Sequence, residues 1–273
     1  MERVSAAGGL LFAEGVREFS LRATLESGQC FRYRELPDGF FEVRAGSRRG
    51  EFCLRGETLI CRSVLATDFE AFWRNYFDLD FDYAAVREVL GRDPVLAEAM
   101  KRCGGLHILR QEPFETLVTF IISQNNNIPR IKGIVARLCE AYGEGGFPSP
   151  ERLAALDIPD LACLRAGFRA KYILDAARKV TAGEVNLSAL PTLPYDEAEA
   201  ELRKISGVGE KVAACVLLFG ARQLDAFPVD VWMKKAVGHF YPKGLDRSRF
   251  GGFAGVAQQY LYHYARISGL HLA

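Results

Sequence analysis

The sequence ISGVGEK at residues 205–211, followed by FPVD at residues 227–230, decides the fold of this chain. The first stretch predicts two helices joined by a glycine hairpin, because glycine pairs interrupt helices and favour turns. We expect the upstream helix to run from about Tyr195 to Ile205 and the downstream one from Glu210 to Phe219. A hairpin of this kind directs the first amide groups of its second helix outwards.

The hairpin glycines predict a site for a phosphate group. We expect Gly207 and Gly209 to supply the positive φ and the close backbone approach that a tight hairpin needs. The exposed main-chain N–H groups and the helix dipole would then attract an anion. Contacts of this type hold a DNA backbone without reading its sequence.

Lys211 and Asp230 are the candidate reactive pair, 230 − 211 = 19 positions apart, which leaves room for one helix and a return loop. Asp230 follows Pro228 and precedes a helical run, so we expect it to be an N-cap. A lysine and an aspartate at two helix starts could form an amine nucleophile with an assisting carboxylate. Taken singly, Lys211 could instead be a solvated surface residue and Asp230 only a cap.

Motifs along nearly the whole chain resemble the helix-hairpin-helix DNA glycosylases, and among them the 8-oxoguanine DNA glycosylases. The matching blocks are SGQCFR (27–32), LRQEP (109–113), SQNNNI (123–128), GFRAKY (167–172), the 205–230 region and AGVAQ (254–258). Six separated blocks in one order are far more specific than a single motif.

The first part of the chain, to about residue 64, is typical of an antiparallel sheet. Short apolar runs at 31–34, 40–44, 52–54 and 58–61 are separated by turn residues. Helical periodicity replaces them from about residue 67. We therefore predict an α+β fold with an N-terminal antiparallel sheet domain (1–70) packed on a mostly helical glycosylase domain (71–273), whose helix-hairpin-helix motif spans about 195–220.

Composition and cysteine usage limit the cofactors and the compartment. The 273 residues are 49% hydrophobic and 25% charged, with a net charge of +1, which is ordinary for a soluble globular protein. Seven cysteines without a C-x-x-C pair indicate neither a disulfide framework nor a zinc site. No cysteine follows Cys215, which removes the iron–sulfur loop of the endonuclease III branch. We predict no cofactor; a monovalent cation on hairpin carbonyls, frequent in the superfamily, is not encoded by side chains.

The sequence also lacks a signal-peptide pattern and an apolar run of membrane-spanning length. We therefore expect an intracellular monomer without membrane contact, in the cytoplasm or nucleoid of a prokaryote or in the nucleus of a eukaryote.

The resemblance implies a role for four residues at the DNA. Asn125 would fill the gap left by the extruded nucleotide, and Arg130 and Arg169 would hydrogen-bond the estranged cytosine with their planar forks. Phe168 stands where the family usually has a wedging tyrosine and keeps the stacking face. On sequence alone, Phe168 could equally be a core aromatic.

The resemblance also implies a pocket for the lesion base. The carbonyl of Gly28 would accept the N7 hydrogen that 8-oxoguanine has and guanine lacks, and Gln258 would read the Watson–Crick edge. Cys215 and Tyr262 would sandwich the base, with tyrosine replacing the usual phenylalanine. Gly28 could instead be a simple turn glycine, and Cys215 a core filler.

These observations predict a bifunctional repair enzyme for double-stranded DNA that contains 8-oxoguanine, opposite cytosine. Lys211 would attack C1′ to form a Schiff base, and β-elimination would follow as an AP lyase activity. Trp232 replaces a histidine of the better-known eukaryotic members, which weakens transfer of that residue's phosphate contact. The alternatives are an alkylated-purine glycosylase of the same superfamily, against which Lys211 argues, and a non-catalytic helix-hairpin-helix DNA-binding protein.

Overall fold

The structure is a computed structural model that describes residues 1–269 of the 273. Its N-terminal part is a six-stranded antiparallel sheet in the order β1-β2-β6-β5-β4-β3. The strands are β1 (Arg3–Ala7), β2 (Leu10–Glu14), β3 (Tyr33–Glu35), β4 (Phe41–Ala45), β5 (Arg48–Arg55) and β6 (Thr58–Arg62).

The part of the described chain that follows β6 is mostly helical. One further helix, α1, lies between β2 and β3. A π-helical turn (Phe69–Trp73) joins α2 to α3, and short 3-10 turns cover Asp160–Leu164 and Arg247–Phe250. The helices are α1 (Leu21–Glu26), α2 (Ala66–Asp68), α3 (Arg74–Tyr76), α4 (Tyr83–Leu90), α5 (Pro94–Cys103), α6 (Pro113–Ser123), α7 (Ile128–Tyr142), α8 (Pro150–Ala154), α9 (Arg169–Thr181), α10 (Tyr195–Arg203), α11 (Glu210–Phe219), α12 (Val231–Phe240) and α13 (Ala254–Ile267).

One face of the sheet is buried against helical residues that follow it. Phe52, fully buried on β5, has its ring centroid 4.8 Å from those of both Trp73 and Phe77. Tilted and edge-on pairs of this kind add to the free energy gained from area burial. The core of the sheet thus includes Leu79 and Leu109 from the second part, while the domain boundary near residue 70 stays a prediction. The α+β class is confirmed.

Two buried helices form the centre of the second part. Nine of the 11 residues of α6 are buried, as are eight of the 10 residues of α11, so both helices are apolar nearly all round. They pack together, and the rings of Phe120 and Phe219 stack at 5.4 Å. The hydrogen bond from Lys211 to Ser123 places the C-terminal end of α6 beside the N-terminal turn of α11, where the candidate site lies.

A buried carboxylate links several segments of the helical part. Asp78, 2% exposed, receives hydrogen bonds from the Tyr83 hydroxyl (2.8 Å) and from Arg110 (2.7 Å), and pairs with Arg222 (2.6 Å). A buried charge with this many partners is costly to break. The network therefore holds α4 and the segments before α6 and after α11 against the segment that follows α3. Within residues 1–269, no helix is long and apolar enough to cross a membrane.

Candidate active site and DNA-binding face

The predicted hairpin lies between α10 and α11, and it packs against α9. Gly207 has φ +78°, and a Cβ at this position would lie 2.5 Å from Cδ2 of Tyr172. Both facts require glycine there. The Ser206 N–H donates to Asp175 Oδ2 at 2.6 Å, which ties the hairpin to α9.

The prediction for Gly209 was wrong in one respect. This residue is the N-cap of α11 with φ −104° and ψ −176°, extended backbone that any residue can adopt, because the single left-handed residue at Gly207 already turns the chain. Apart from its two chain neighbours, no atom of residues 1–269 lies within 4 Å of a Cβ built on Gly209, and none of their side chains caps the helix. The first N–H groups of α11 therefore face an open surface, as a phosphate site requires.

One cavity of about 100 Å³ lies between α1, α6, α11 and α13. All six residues predicted for catalysis and base recognition line it, although they are separated by up to 234 positions (262 − 28) in the chain. They are Gly28, Lys211, Cys215, Asp230, Gln258 and Tyr262.

Lys211 enters the cavity from the first turn of α11. Its Nζ donates to Ser123 Oγ at 3.2 Å and lies 5.1 Å from the centre of the Phe120 ring. Ser123 Oγ donates its own hydrogen to the carbonyl of Phe120 at 2.7 Å, so its lone pairs remain for the lysine. The amine is thus directed into the cavity and is not free in bulk solvent.

Asp230 lies at the N-terminus of α12, as predicted. Its Oδ1 accepts the Met233 N–H at 2.7 Å, an N-cap bond that fixes the carboxylate. Within residues 1–269, Asp230 and Lys211 form no ion pair at 4.0 Å or less, and both line the same cavity. The space between amine and carboxylate is where a sugar would have to lie for both groups to act on it.

The predicted base sandwich consists of a buried thiol and a partly buried ring. Burial raises the pKa of the Cys215 thiol to about 11, against the opposing charge of Lys211, so the group is a neutral thiol at pH 7. Tyr262 lies over Gly28, whose φ is +80°. Gln258 is 4% exposed and lines the same cavity from α13.

Outside the cavity, Asn125 lies in a strained loop between α6 and α7. It is exposed and has φ +47°, a conformation that asparagine tolerates better than most residues. The guanidinium of Arg169, only 3% exposed, donates to the carbonyls of Gln124, Asn125 and Ala166. Arg169 therefore holds the Asn125 loop in place, a role that the sequence did not indicate.

The two predicted arginines differ in exposure. Arg130 is exposed on the first turn of α7, whereas burial, followed by the charge of Arg130, lowers the pKa of Arg169. Most donors of Arg169 are used by carbonyl groups, so its contact with an estranged base stays a prediction. Phe168 is 50% exposed, which excludes the alternative that it is a core aromatic.

A groove of about 490 Å³ connects the Asn125 loop with the hairpin. Lys211 and Asp230 line both this groove and the cavity, so a strand bound along the groove would pass the reactive pair. The groove is also lined by Asn125, Gly209, Trp232 and Lys234.

Some site residues were missed by sequence reasoning. Ser123 and Phe120 surround the lysine amine, and Gln259 lies beside Gln258 in the cavity wall. The signal for Ser123 was its place as a polar residue ending an apolar helix.

Among residues 1–269, no group of three His, Cys, Asp or Glu side chains is arranged to hold a metal ion.

Two family profiles match consecutive parts of the chain. Residues 12–117 match the 8-oxoguanine DNA glycosylase N-terminal domain, and residues 118–246 match the HhH-GPD superfamily base excision DNA repair proteins. Together they cover most of the sheet (the end of β2 and β3 to β6), the hairpin and Asp230. The fold and the site thus define a helix-hairpin-helix DNA glycosylase.

Proteins of nearly the same length are similar to this chain over almost the whole of both sequences. A structure of MBOgg1 in complex with a low affinity DNA ligand is 43% identical, with a TM-score of 0.93 over 98% of this chain and 99% of that chain. The Clostridium acetobutylicum 8-oxoguanine glycosylase/lyase, bound to DNA with cytosine opposite 8-oxoG, is 34% identical, with a TM-score of 0.91 over 98% and 99%. A probable N-glycosylase/DNA lyase of Methanothermobacter thermautotrophicus is 29% identical over 93% of this chain and 96% of the relative. The chain belongs to the 8-oxoguanine DNA glycosylases of the HhH-GPD superfamily.

Proposed function

We propose that this protein removes 8-oxoguanine from double-stranded DNA through a Schiff base on Lys211, and then cleaves the strand as an AP lyase. The observation that carries the proposal is the position of the Lys211 amine, which projects into a cavity that also holds Asp230 and the predicted base-recognition residues. The names of the relatives, N-glycosylase/DNA lyase and 8-oxoguanine glycosylase/lyase, support the same reaction.

The reaction begins when the lesion nucleotide leaves the base stack and enters the cavity. The Lys211 amine attacks the deoxyribose C1′ with its lone pair, and the bond from C1′ to the base breaks. The oxidised base leaves with the bonding electron pair and takes up a proton. The Asp230 carboxylate stabilises the positive charge that develops on the sugar. Opening of the sugar ring gives the Schiff base between Lys211 and C1′.

Strand cleavage follows from the Schiff base by β-elimination. The iminium group acidifies the hydrogen at C2′; when a base removes this proton, the 3′-phosphate leaves and a double bond forms between C2′ and C3′. Lys211 therefore serves both steps. The alkylated-purine alternative is not favoured, because that chemistry uses the carboxylate and a water without needing an amine in the cavity.

Recognition of the lesion depends on one hydrogen atom. The carbonyl of Gly28 accepts N7–H of 8-oxoguanine, whereas undamaged guanine would present a second acceptor. An unsatisfied buried acceptor costs about 1–3 kcal/mol. Cys215 and Tyr262 contact the two faces of the base, and Gln258 contacts its Watson–Crick edge.

The opposite strand is held by the loop and helix starts that surround the groove. Asn125 fills the gap in the duplex, the exposed Phe168 ring stacks beside the estranged base, and Arg130 with Arg169 reads cytosine. The exposure of Asn125, Arg130 and Phe168 supports these roles. We further propose that the protein acts as a monomer in the compartment that contains the DNA, without a cofactor. A monovalent cation on the hairpin carbonyls remains a prediction.

The test is borohydride trapping on duplexes that carry 8-oxoguanine opposite each of the four bases. We expect the native protein to form a covalent adduct, most efficiently opposite cytosine, while Lys211→Gln forms none and still binds the lesion duplex. Lys234→Gln, which removes a charge from the same groove, is the matched control and keeps the adduct. An undiminished adduct with Lys211→Gln would refute the lysine; excision of an alkylated purine in preference to 8-oxoguanine would refute the substrate.

A further inference from the structure

Gln259 is a buried polar residue in the cavity wall that the proposed chemistry does not use. It is 3% exposed and lines the cavity beside Gln258. Its Nε2 donates to Gln258 Oε1 at 2.7 Å, while its Oε1 is sealed from solvent and has no partner among residues 1–269. A buried acceptor without a donor destabilises the fold, and an apolar side chain of similar size would avoid that cost. The arrangement therefore calls for a functional reason.

The hydrogen bond between the two glutamines fixes the orientation of the Gln258 carboxamide. Its oxygen is directed at Gln259, so its nitrogen lies on the other side of the planar group. Within residues 1–269, Gln258 Nε2 has no protein partner, and it is not among the buried atoms sealed from solvent. Since Gln258 lines the cavity, this N–H donor faces the space that the base would occupy.

We propose that Gln259 is a positioning residue for base specificity, which holds Gln258 so that an N–H donor meets the carbonyl oxygen on the six-membered ring of the base. The inference rests on the proposed function. A purine with a carbonyl at that position accepts this hydrogen bond. A purine with an amino group there, such as 8-oxoadenine, places a donor against a donor. Without Gln259, the Gln258 carboxamide can turn over and present its oxygen, which removes the discrimination.

The positioning role of Gln259 can be measured as the preference of the enzyme for 8-oxoguanine over 8-oxoadenine. Single-turnover excision rates are determined for 8-oxoguanine and 8-oxoadenine, each opposite cytosine, with native protein and with Gln259→Met, which keeps the side-chain length and loses the amide. We expect the rate ratio of 8-oxoguanine to 8-oxoadenine to fall by about ten-fold or more in the variant. A purely structural residue would lower both rates together and leave the ratio unchanged, and that result would overturn the proposal.

A second variant tests the donor directly and does not depend on how well Gln259→Met folds. Burial raises the pKa of a carboxyl group, so Gln259→Glu would carry a proton at low pH and donate it to Gln258 Oε1. We expect the rate ratio of this variant to be close to native at about pH 5.5 and to fall towards about pH 8, while the native ratio stays level. A ratio that does not depend on pH in Gln259→Glu would contradict the proposal.

A double-mutant cycle separates action through Gln258 from direct contact with the base. In a Gln258→Leu background, Gln259→Met should leave the rate ratio unchanged, because the group that it positions is gone. A further fall in that background would refute the positioning role. If the native protein does not excise 8-oxoguanine at all, the proposed function fails; if it does and the ratio is insensitive to Gln259, only this inference fails.

Discussion

The ring of Tyr262 lies against Gly28, so closely that a Cβ built on the glycine would be 3.0 Å from Cε1 of the tyrosine. Gly28 also has φ +80°, where a side chain costs about 1–2 kcal/mol. The glycine lies between α1 and the edge strand β3, while the tyrosine comes from α13, more than 200 positions later in the chain. The carbonyl proposed to recognise the lesion and the ring proposed to stack on it are therefore positioned by one contact.

Gly28→Ala should impair lesion recognition while leaving the lyase step intact. The new methyl group strains the backbone and displaces Tyr262, so we expect the rate of 8-oxoguanine excision to fall by about ten-fold or more. Cleavage of a preformed abasic site needs Lys211 but no base pocket, and it should stay within about two-fold of native. Both rates are measured under single-turnover conditions.

Gly39→Ala is the matched control for this substitution. Gly39 has φ +82° in a turn of the sheet, where a Cβ would contact, among residues 1–269, only Arg55 at 3.7 Å. It carries similar backbone strain without contacting the cavity, so both rates should remain native. Native excision by Gly28→Ala would contradict the proposed role of this residue.

Ser123→Ala should slow the chemistry by misplacing the Lys211 amine. The serine hydroxyl is oriented by its bond to the Phe120 carbonyl and accepts from Nζ. Loss of one hydrogen bond to a charged or reactive group is worth about 1.5–3 kcal/mol, so we expect the single-turnover rate to fall between about ten-fold and about a hundred-fold. Affinity for the lesion duplex should not change.

The control is Ser188→Ala, which removes an exposed hydroxyl bonded to Asn186 and should keep the native rate. If Ser123→Ala weakens DNA binding and excision to the same degree, the serine supports the groove and not the amine.

Much of the fold and most of the candidate cavity could be predicted from the sequence. The hairpin and the N-cap at Asp230 depend on local chain chemistry, namely glycine at a left-handed position and a carboxylate before a helix, and local rules were sufficient for both. Gly28, Gln258 and Tyr262 were found through motif resemblance, because no local pattern brings residues so far apart together.

What the sequence did not predict depends on tertiary contacts. β1 is a mostly exposed edge strand of small and polar residues without an alternating pattern. The apolar runs indicated β3 to β6 but neither β1 nor the inner strand β2. The role of Arg169 in holding the Asn125 loop requires knowing that α9 begins beside the C-terminal end of α6. An arginine in a basic motif looks the same in sequence whether its donors meet carbonyl groups or a base.

Alanine substitutions at the two hairpin glycines should affect different properties: Gly207→Ala the stability of the fold, and Gly209→Ala the affinity for DNA. Gly207→Ala forces a Cβ into the ring of Tyr172 at positive φ, and we expect a loss of at least about 2 kcal/mol in the free energy of unfolding. Gly209→Ala is compatible with its extended backbone and costs less than about 1 kcal/mol. Its methyl group, however, lies on the open surface that a phosphate would approach.

Thermal unfolding and fluorescence anisotropy on an undamaged duplex at fixed salt distinguish the two variants. Gly209→Ala should keep a nearly native melting temperature and bind DNA about five-fold to ten-fold more weakly. Equal affinity of Gly209→Ala and native protein would exclude close backbone contact with DNA at this turn.

His263 should make the folded state sensitive to acid. It is 7% exposed on α13, and its Nδ1 has no partner within residues 1–269. Burial, with a smaller effect from the charge of Arg266, lowers the pKa of His263 from 6.5 to about 4. The folded state thus favours the neutral imidazole. The stability that this gives is fully present above about pH 6.5, and it is lost as the pH falls towards 4, because the unfolded chain takes up the proton first.

The shift in the His263 pKa corresponds to about 3 kcal/mol at most, so the free energy of unfolding should fall by up to that amount between pH 6.5 and 4 through this residue. His263→Leu removes the titrating group and should flatten the decline, as measured by urea unfolding across that pH range. His239→Leu, at an exposed position of α12, should leave the decline as it is. If both variants follow the native pH profile, the acid sensitivity has another origin and the buried imidazole is not its cause.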